Sequence, residues 1–186
     1  MKPLLALLMP FAAAVFAMTT QAASLERQHG AHVHGQATGT LAKDSGRLNL
    51  SLVVPGMNLV GFEHAPRDEA QRGRLSEVQH FLESGTWLAF HPHGECRIEQ
   101  LELAAPGFGA ADAYDHGDDH DHNHHEHAEF HLELDITCEQ PERLEWLELK
   151  LFEDYPANEE IRMDVLTETH AERLRLTASD ARIRLQ

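Results

Sequence analysis

Residues 128–138 read AEFHLELDITC, and the reading of this stretch decides the fold. Phe130, Leu132, Leu134, Ile136 and Cys138 fall on one face, and Glu129, His131, Glu133 and Asp135 on the other. Apolar residues at a period of two mark a strand with one buried and one wet face. Sheets of such strands are antiparallel, because a parallel sheet is covered on both sides and reads as an unbroken apolar run. Working outward, RLNLSLVV at 47–54 repeats the pattern with Leu48, Leu50, Leu52 and Val54. Leu144–Phe152, Ile161–Glu168, Arg173–Thr177 and Arg182–Leu185 read as further strands, with Trp146 and Phe152 buried from a second side. Trp87–His91 and Cys96–Leu103 read as a hairpin joined through Pro92, His93 and Gly94. The period changes after Pro66: Leu75, Val78, Phe81 and Leu82 recur at helical spacing, with Pro66 suited to the first turn and Gly85 to the stop. The expected fold is mainly β (α+β), with antiparallel sheets and one main helix over residues 66–84. Ala31-His32-Val33-His34 resembles Ala128-Glu129-Phe130-His131, so two pseudo-symmetric halves, 24–105 and 128–186, stand as one alternative. Chance likeness between alternating strands is the other.

The first residues are expected to lie outside the fold. Lys2 gives a positive start, residues 4–17 are apolar apart from Pro10, and Ala22-Ala23 offers small residues for cleavage. This is the pattern of a secretory signal peptide, 1–23, too short for a comfortable membrane span and with no cysteine for a lipid anchor. A soluble, exported chain without stable membrane insertion is expected. The formal charge is −16, which disfavours nucleic acid as a partner and favours cations. The two cysteines, Cys96 and Cys138, form one disulfide by default in an oxidising compartment, with a soft thiolate metal site as the rival reading.

Residues 115–127, DHGDDHDHNHHEH, hold six histidines and five acids and no apolar side chain. With the Gly/Ala/Asp stretch before it, this makes residues 106–127 an expected flexible, acidic, His-rich loop. His116, His120, His122, His124, His125 and His127 supply imidazoles that bind Zn(II), Cu(II) or Ni(II) near neutral pH. A loop must be ordered around each ion, so it should bind more weakly than a site built on strands.

The sharpest motif outside that run is His29-Gly-Ala-His-Val-His-Gly35. In an extended chain His32 and His34 point the same way, about 6.5–7 Å apart at Cα, and His29 can join from the preceding turn. His131 stands between Glu129 and Glu133 on the polar face of its strand, either as a His–carboxylate metal set or as a solvated face. His91 and His93 flank Pro92 in a turn, and His64 follows Glu63; both are further ligand candidates. His80 and His170 read as solvated. HExxH, G-x-S-x-G and P-loop motifs do not occur, and no enzyme is expected.

HGAHVHG at 29–35, PGMNLVGFEHAP at 55–66, Cys96, the His-rich loop, Cys138 and LFEDYP at 151–156 together resemble the ZrgA family of zinc-regulated periplasmic proteins. The resemblance spans nearly all of the expected mature chain. It implies a periplasmic Zn(II)-binding accessory, made when zinc is scarce, that supports a zinc ABC importer or its binding protein and catalyses nothing. It points to His29, His32, His34, His64 and the loop histidines as ligands. TETHA at 167–171 departs from the family pattern, which puts a shared role for the last hairpin in question. The expectation is zinc capture for uptake. The alternatives are a periplasmic buffer for excess Zn, Cu or Ni, a secreted zinc hydrolase, and a structural domain with incidental histidines. Oligomeric state is not legible.

Overall fold

The computed structural model describes residues 33–109 and 127–185, all within one compact unit, Ala31–Gln186. Nine strands and three helices occur among the described residues: β1 (Gln36–Asp44), β2 (Arg47–Pro55), α1 (Gly56–Leu59), α2 (Glu69–Glu83), β3 (Leu88–Phe90), β4 (Cys96–Ala104), β5 (Glu129–Cys138), β6 (Trp146–Leu149), α3 (Leu151–Asp154), β7 (Glu160–Leu166), β8 (Ala171–Leu176) and β9 (Arg182–Arg184). The fold is mainly β, as the alternation predicts. A six-stranded sheet runs in the order β4-β5-β2-β1-β7-β8, and a three-stranded sheet in the order β3-β6-β9. Every pairing is antiparallel except β1 with β7. No helix among the described residues is long and apolar enough to cross a membrane.

The register makes the core. Leu48, Leu50 and Leu52 of β2 stand opposite Ile136, Leu134 and Leu132 of β5, all on one face and all buried. Leu41 of β1 and Ile161, Met163 and Val165 of β7 extend that face. Val78 and Leu82 of α2, Leu147 and Leu149 of β6, and Ile183 of β9 complete the same cluster. The opposite face is wet: Ser51 Oγ donates to Glu133 at 2.9 Å, and the amide of Asn49 donates to Asp135. The helix expected over 66–84 starts at Glu69. Asp68 caps it, its carboxylate accepting from the Gln71 amide at 2.8 Å. Gly85, at φ +66°, follows its end.

Three expectations are corrected. The hairpin of 87–91 with 96–103 does not form: β3 pairs with β6, and β4 pairs with β5 in the other sheet. A 3-10 turn at Pro92–Gly94 and a left-handed Glu95 (φ 51°) carry the chain from one sheet to the other. The strand read as Leu144–Phe152 is only Trp146–Leu149. Lys150 leaves the extended region, and α3 turns Leu151 and Phe152 into the core, while Trp146 is only partly buried. Strand β1 escapes the sequence reading because QATGTLAKD offers only Ala37 and Leu41 to the core. Its place between β2 and β7, not its own pattern, makes it a strand. Residues of both expected halves share one sheet, with β5 seated between β4 and β2.

The disulfide joins Cys96 and Cys138. They are directly opposed across β4 and β5, with Cα atoms 3.9 Å apart.

Candidate metal centre

Three loop segments meet beside the first residues of β5. The first is the His34–Gly35 turn that leads into β1. It cannot continue as the extended chain read from HVH, because Gly35 adopts φ +81°, the left-handed region that glycine enters without strain. The turn is pinned by Asn58, a buried residue of α1, whose side-chain oxygen accepts from the Gly35 amide at 2.9 Å. Asn58 in turn donates to buried Asn158 at 2.9 Å, and the Gly35 carbonyl accepts from the Glu160 amide at 2.9 Å. Buried amides hold a backbone in place in this way because each of their groups needs a partner away from water.

The second segment runs from α1 to Ala65. The Gly56 amide donates to the Ala128 carbonyl at 2.8 Å, tying α1 to the start of β5. A Cβ on Gly56 would lie 2.6 Å from the Phe62 carbonyl and 2.7 Å from that of Ala128, so only glycine permits the approach. Phe62 packs edge-on against Phe108 (5.8 Å), and Phe108 against Phe130 of β5 (4.9 Å). Phe108 lies in the stretch read as the opening of the flexible loop, yet it is buried in this aromatic stack. The stack anchors the bend that carries Glu63.

Glu63 is the centre of the site. Its side chain is 7% exposed. One carboxylate oxygen, Oε2, lies 2.8 Å from His127 Nδ1 and 3.8 Å from His34 Nε2. The other oxygen, Oε1, is buried and accepts no hydrogen bond among the described residues. A buried carboxylate is costly unless its lone pairs are met. The two imidazoles beside it are more than half exposed, so the site opens to solvent on their side.

A divalent ion with tetrahedral N and O ligands near 2.0–2.1 Å holds its donors roughly 3.3 Å apart. One observed edge, 2.8 Å, is about 0.5 Å shorter than that, and the other, 3.8 Å, about as much longer. Among the described residues, no three His, Cys, Asp or Glu side chains already stand at coordinating distance. Glu63, His34 and His127 stand close together without forming a coordination set. His29 and His32, and His116, His120, His122, His124 and His125, lie outside the described residues.

The remaining candidates are elsewhere or differently engaged. His131 bonds Glu129, which is buried two residues along from His127, while Glu133 takes its hydrogen bond from Ser51 instead. A carboxylate on one ring nitrogen fixes the tautomer and orientation of an imidazole. His64 stacks on Phe62 (5.1 Å) and donates from Nδ1 to the Ala65 carbonyl at 2.9 Å. His91 and His93 lie together at the small sheet, with Glu145 beside them. His80 bonds the Ser76 carbonyl on α2, and His170 sits among Thr167, Thr169 and Glu172. Sequence reasoning named His34 and His127 as candidates, and noted Glu63 only as the neighbour of His64. The available signal was an acid in an otherwise apolar segment, LVGFEH.

Near the site, Glu160 is held below the usual carboxylate range by hydrogen bonds from Arg162 and Arg175. Its charge is met by guanidinium groups, whereas no Arg or Lys among the described residues pairs with Glu63.

No curated protein matches this chain. The model of the ZrgA family, described as zinc uptake proteins, matches residues 31–185, a span that includes the Glu63 site, both sheets and the disulfide. The chain belongs to the ZrgA family of zinc uptake proteins, and its role is in zinc uptake.

Proposed function

We propose that the chain is a periplasmic zinc-capturing protein that binds Zn(II) at Glu63, His34 and His127 and passes it toward a membrane importer. The observation that carries this reading is the Glu63 carboxylate: buried, with one oxygen facing two imidazoles from distant segments and the other accepting no hydrogen bond among the described residues. A divalent cation offsets the buried charge and uses both kinds of donor. Imidazole and carboxylate together suit Zn(II); affinity order alone would favour Cu(II), so supply and geometry set the choice.

In this reading residues 1–23 direct export and are removed, leaving residues 24–186 as the metal-binding domain in the periplasm. The importer partner is a zinc ABC transporter or its binding protein, and the chain performs no catalysis. The histidines of 115–127 lie immediately before β5, on the chain that delivers His127 to the site. They raise the local zinc concentration around the tighter centre, as linked weak sites do.

Equilibrium dialysis of the untagged, processed chain against zinc chloride tests the claim. Retention of one tightly held zinc, lost on replacing His34 and His127 together by Gln, is the expected result. A chain that retains no zinc, or whose tight site survives that replacement, would sink the assignment. Induction of the protein by zinc starvation distinguishes acquisition from buffering of excess metal.

A further inference from the structure

We propose that His91, His93 and Glu145 form a second divalent-cation site, separate from the one at Glu63. The argument starts from the tautomer of His91. Its Nδ1 lies 3.0 Å from the Arg143 carbonyl oxygen, which can only accept, so Nδ1 carries the proton. In the neutral ring the lone pair is then on Nε2, the arrangement of a metal-binding histidine whose second nitrogen is held by the backbone. That Nε2 faces the Glu145 carboxylate at 3.9 Å. The separation is too long for a direct hydrogen bond, and it leaves room for a cation between the two groups. Closing by about 0.6 Å brings the pair to the roughly 3.3 Å spacing of donors around a tetrahedral ion. His93 stands edge-on to His91, ring centroids 4.9 Å apart, near enough to become the third donor by turning its ring, although the three groups do not stand at coordinating distance as they are.

The frame around this cluster is firm. The His91 amide donates to the Trp146 carbonyl at 3.0 Å, and its ring, 85% buried, packs edge-on against Trp146 at 5.6 Å. The 3-10 turn that carries His93 is fastened by the bonds from Gly94 to His91 and from Gln140 to Gly94, both 3.0 Å, and the Cys96–Cys138 bridge follows it. The bridge marks the far end of β5 from His127 and Glu63. Nine strand steps at about 3.4 Å place the two clusters roughly 30 Å apart. One ion cannot serve both. Three protein donors, two imidazoles and one carboxylate, match Zn(II) and leave one coordination position to water, so the ion can exchange. Glu145 and His93 are exposed, which gives a partner access to the ion.

Trp146 is a built-in reporter, since Cu(II) held by His91 would sit close to its indole and quench its emission; Trp87, the other tryptophan, is replaced by Phe in every protein compared. The full processed chain is titrated with copper(II) chloride, and fluorescence is compared among the Trp87→Phe parent and its His93→Gln, Glu145→Gln and Glu63→Gln variants. His93→Gln and Glu145→Gln are each expected to lower the quenching by at least half, and Glu63→Gln to leave it unchanged. Zinc-edge anomalous scattering from zinc-loaded crystals is expected to show a peak bounded by His91, His93 and Glu145. Full quenching in both site variants, or no peak at His91, overturns the proposal. Equal loss in Glu63→Gln overturns the independence of the two sites. A failure here leaves the Glu63 centre standing, because the zinc lost on replacing His34 and His127 is a difference that belongs to that centre.

Discussion

Replacing Glu63 by Gln keeps the shape of the side chain and removes its charge, and two effects then separate. Without zinc, the change removes a buried negative charge, which favours the variant, and weakens the close contact with His127, which disfavours it; the polar atom at the Oε1 position stays buried in both proteins. These offset, so the metal-free protein should change by no more than about 1 kcal/mol. For a domain of this size that is a melting shift of about 2–4 °C. With zinc the outcome differs. An ion present at about 100 times its Kd stabilises the wild type by about 2.7 kcal/mol, or about 5–10 °C. Loss of a carboxylate ligand should weaken binding by at least about 100-fold, the upper end of what removing a mere supporting partner does. At the same zinc concentration the variant then gains only about 0.4 kcal/mol, under about 2 °C. Scanning calorimetry of both proteins, with zinc chloride and with a chelator, reads the four melting temperatures. Weak binding by the His-rich run adds little to these shifts, because it also occurs in the unfolded chain. A zinc-induced shift that is as large in Glu63→Gln as in the wild type refutes the placement of the ion. A metal-free variant that melts more than about 10 °C below wild type, about 3 kcal/mol, shows instead that the Glu63–His127 pair is structural.

Two further outcomes are expected. Reducing the Cys96–Cys138 bond releases a loop closed over a separation of 42 residues, which should cost about 4 kcal/mol of stability and lower the melting temperature by about 8–16 °C; an unchanged melt in reductant would show that pairing of β4 with β5 alone holds this edge. Glu160, held low by Arg162 and Arg175, Asp164, held low by Arg173, and Glu168, held low by its own amide and that of Ser45, all have depressed carboxyl pKa values in the folded state. Their stabilisation is therefore complete above the ordinary carboxylate range, about 3.9–4.3, and is lost as pH falls through their folded values. Melting temperature should drop steeply below about pH 4, less so in Arg175→Gln, and a melt that rises on acidification from pH 5 to pH 3 would contradict the sign.

Much of the fold is written in local pattern. Leu48, Leu50 and Leu52, and Leu132, Leu134 and Ile136, declare their faces because a strand repeats every two residues and one face must leave water. The helix declares itself by its own period, although its start, capped by Asp68, falls at Glu69 and not at Pro66. The two cysteines needed only to be counted. The chemistry on offer is legible as well, since an acidic, histidine-rich chain presents imidazole and carboxylate to a partner. What the pattern could not give is which donors meet. His34, Glu63 and His127 sit in a turn, a bend and a lead-in to a strand, and such segments have no period from which to read a direction. They are 29 and 64 residues apart in sequence and are gathered by β1, β2 and β5 lying side by side. The same holds for the transfer of β3 to a second sheet and for β1, a strand by virtue of its neighbours. Sequence alone settled the chemistry of the side chains and the local periodicity, which depend on residues a few positions apart. Tertiary structure alone decided the burial of Glu63 and the company it keeps, because desolvation depends on everything packed around a group and not on its neighbours in the chain.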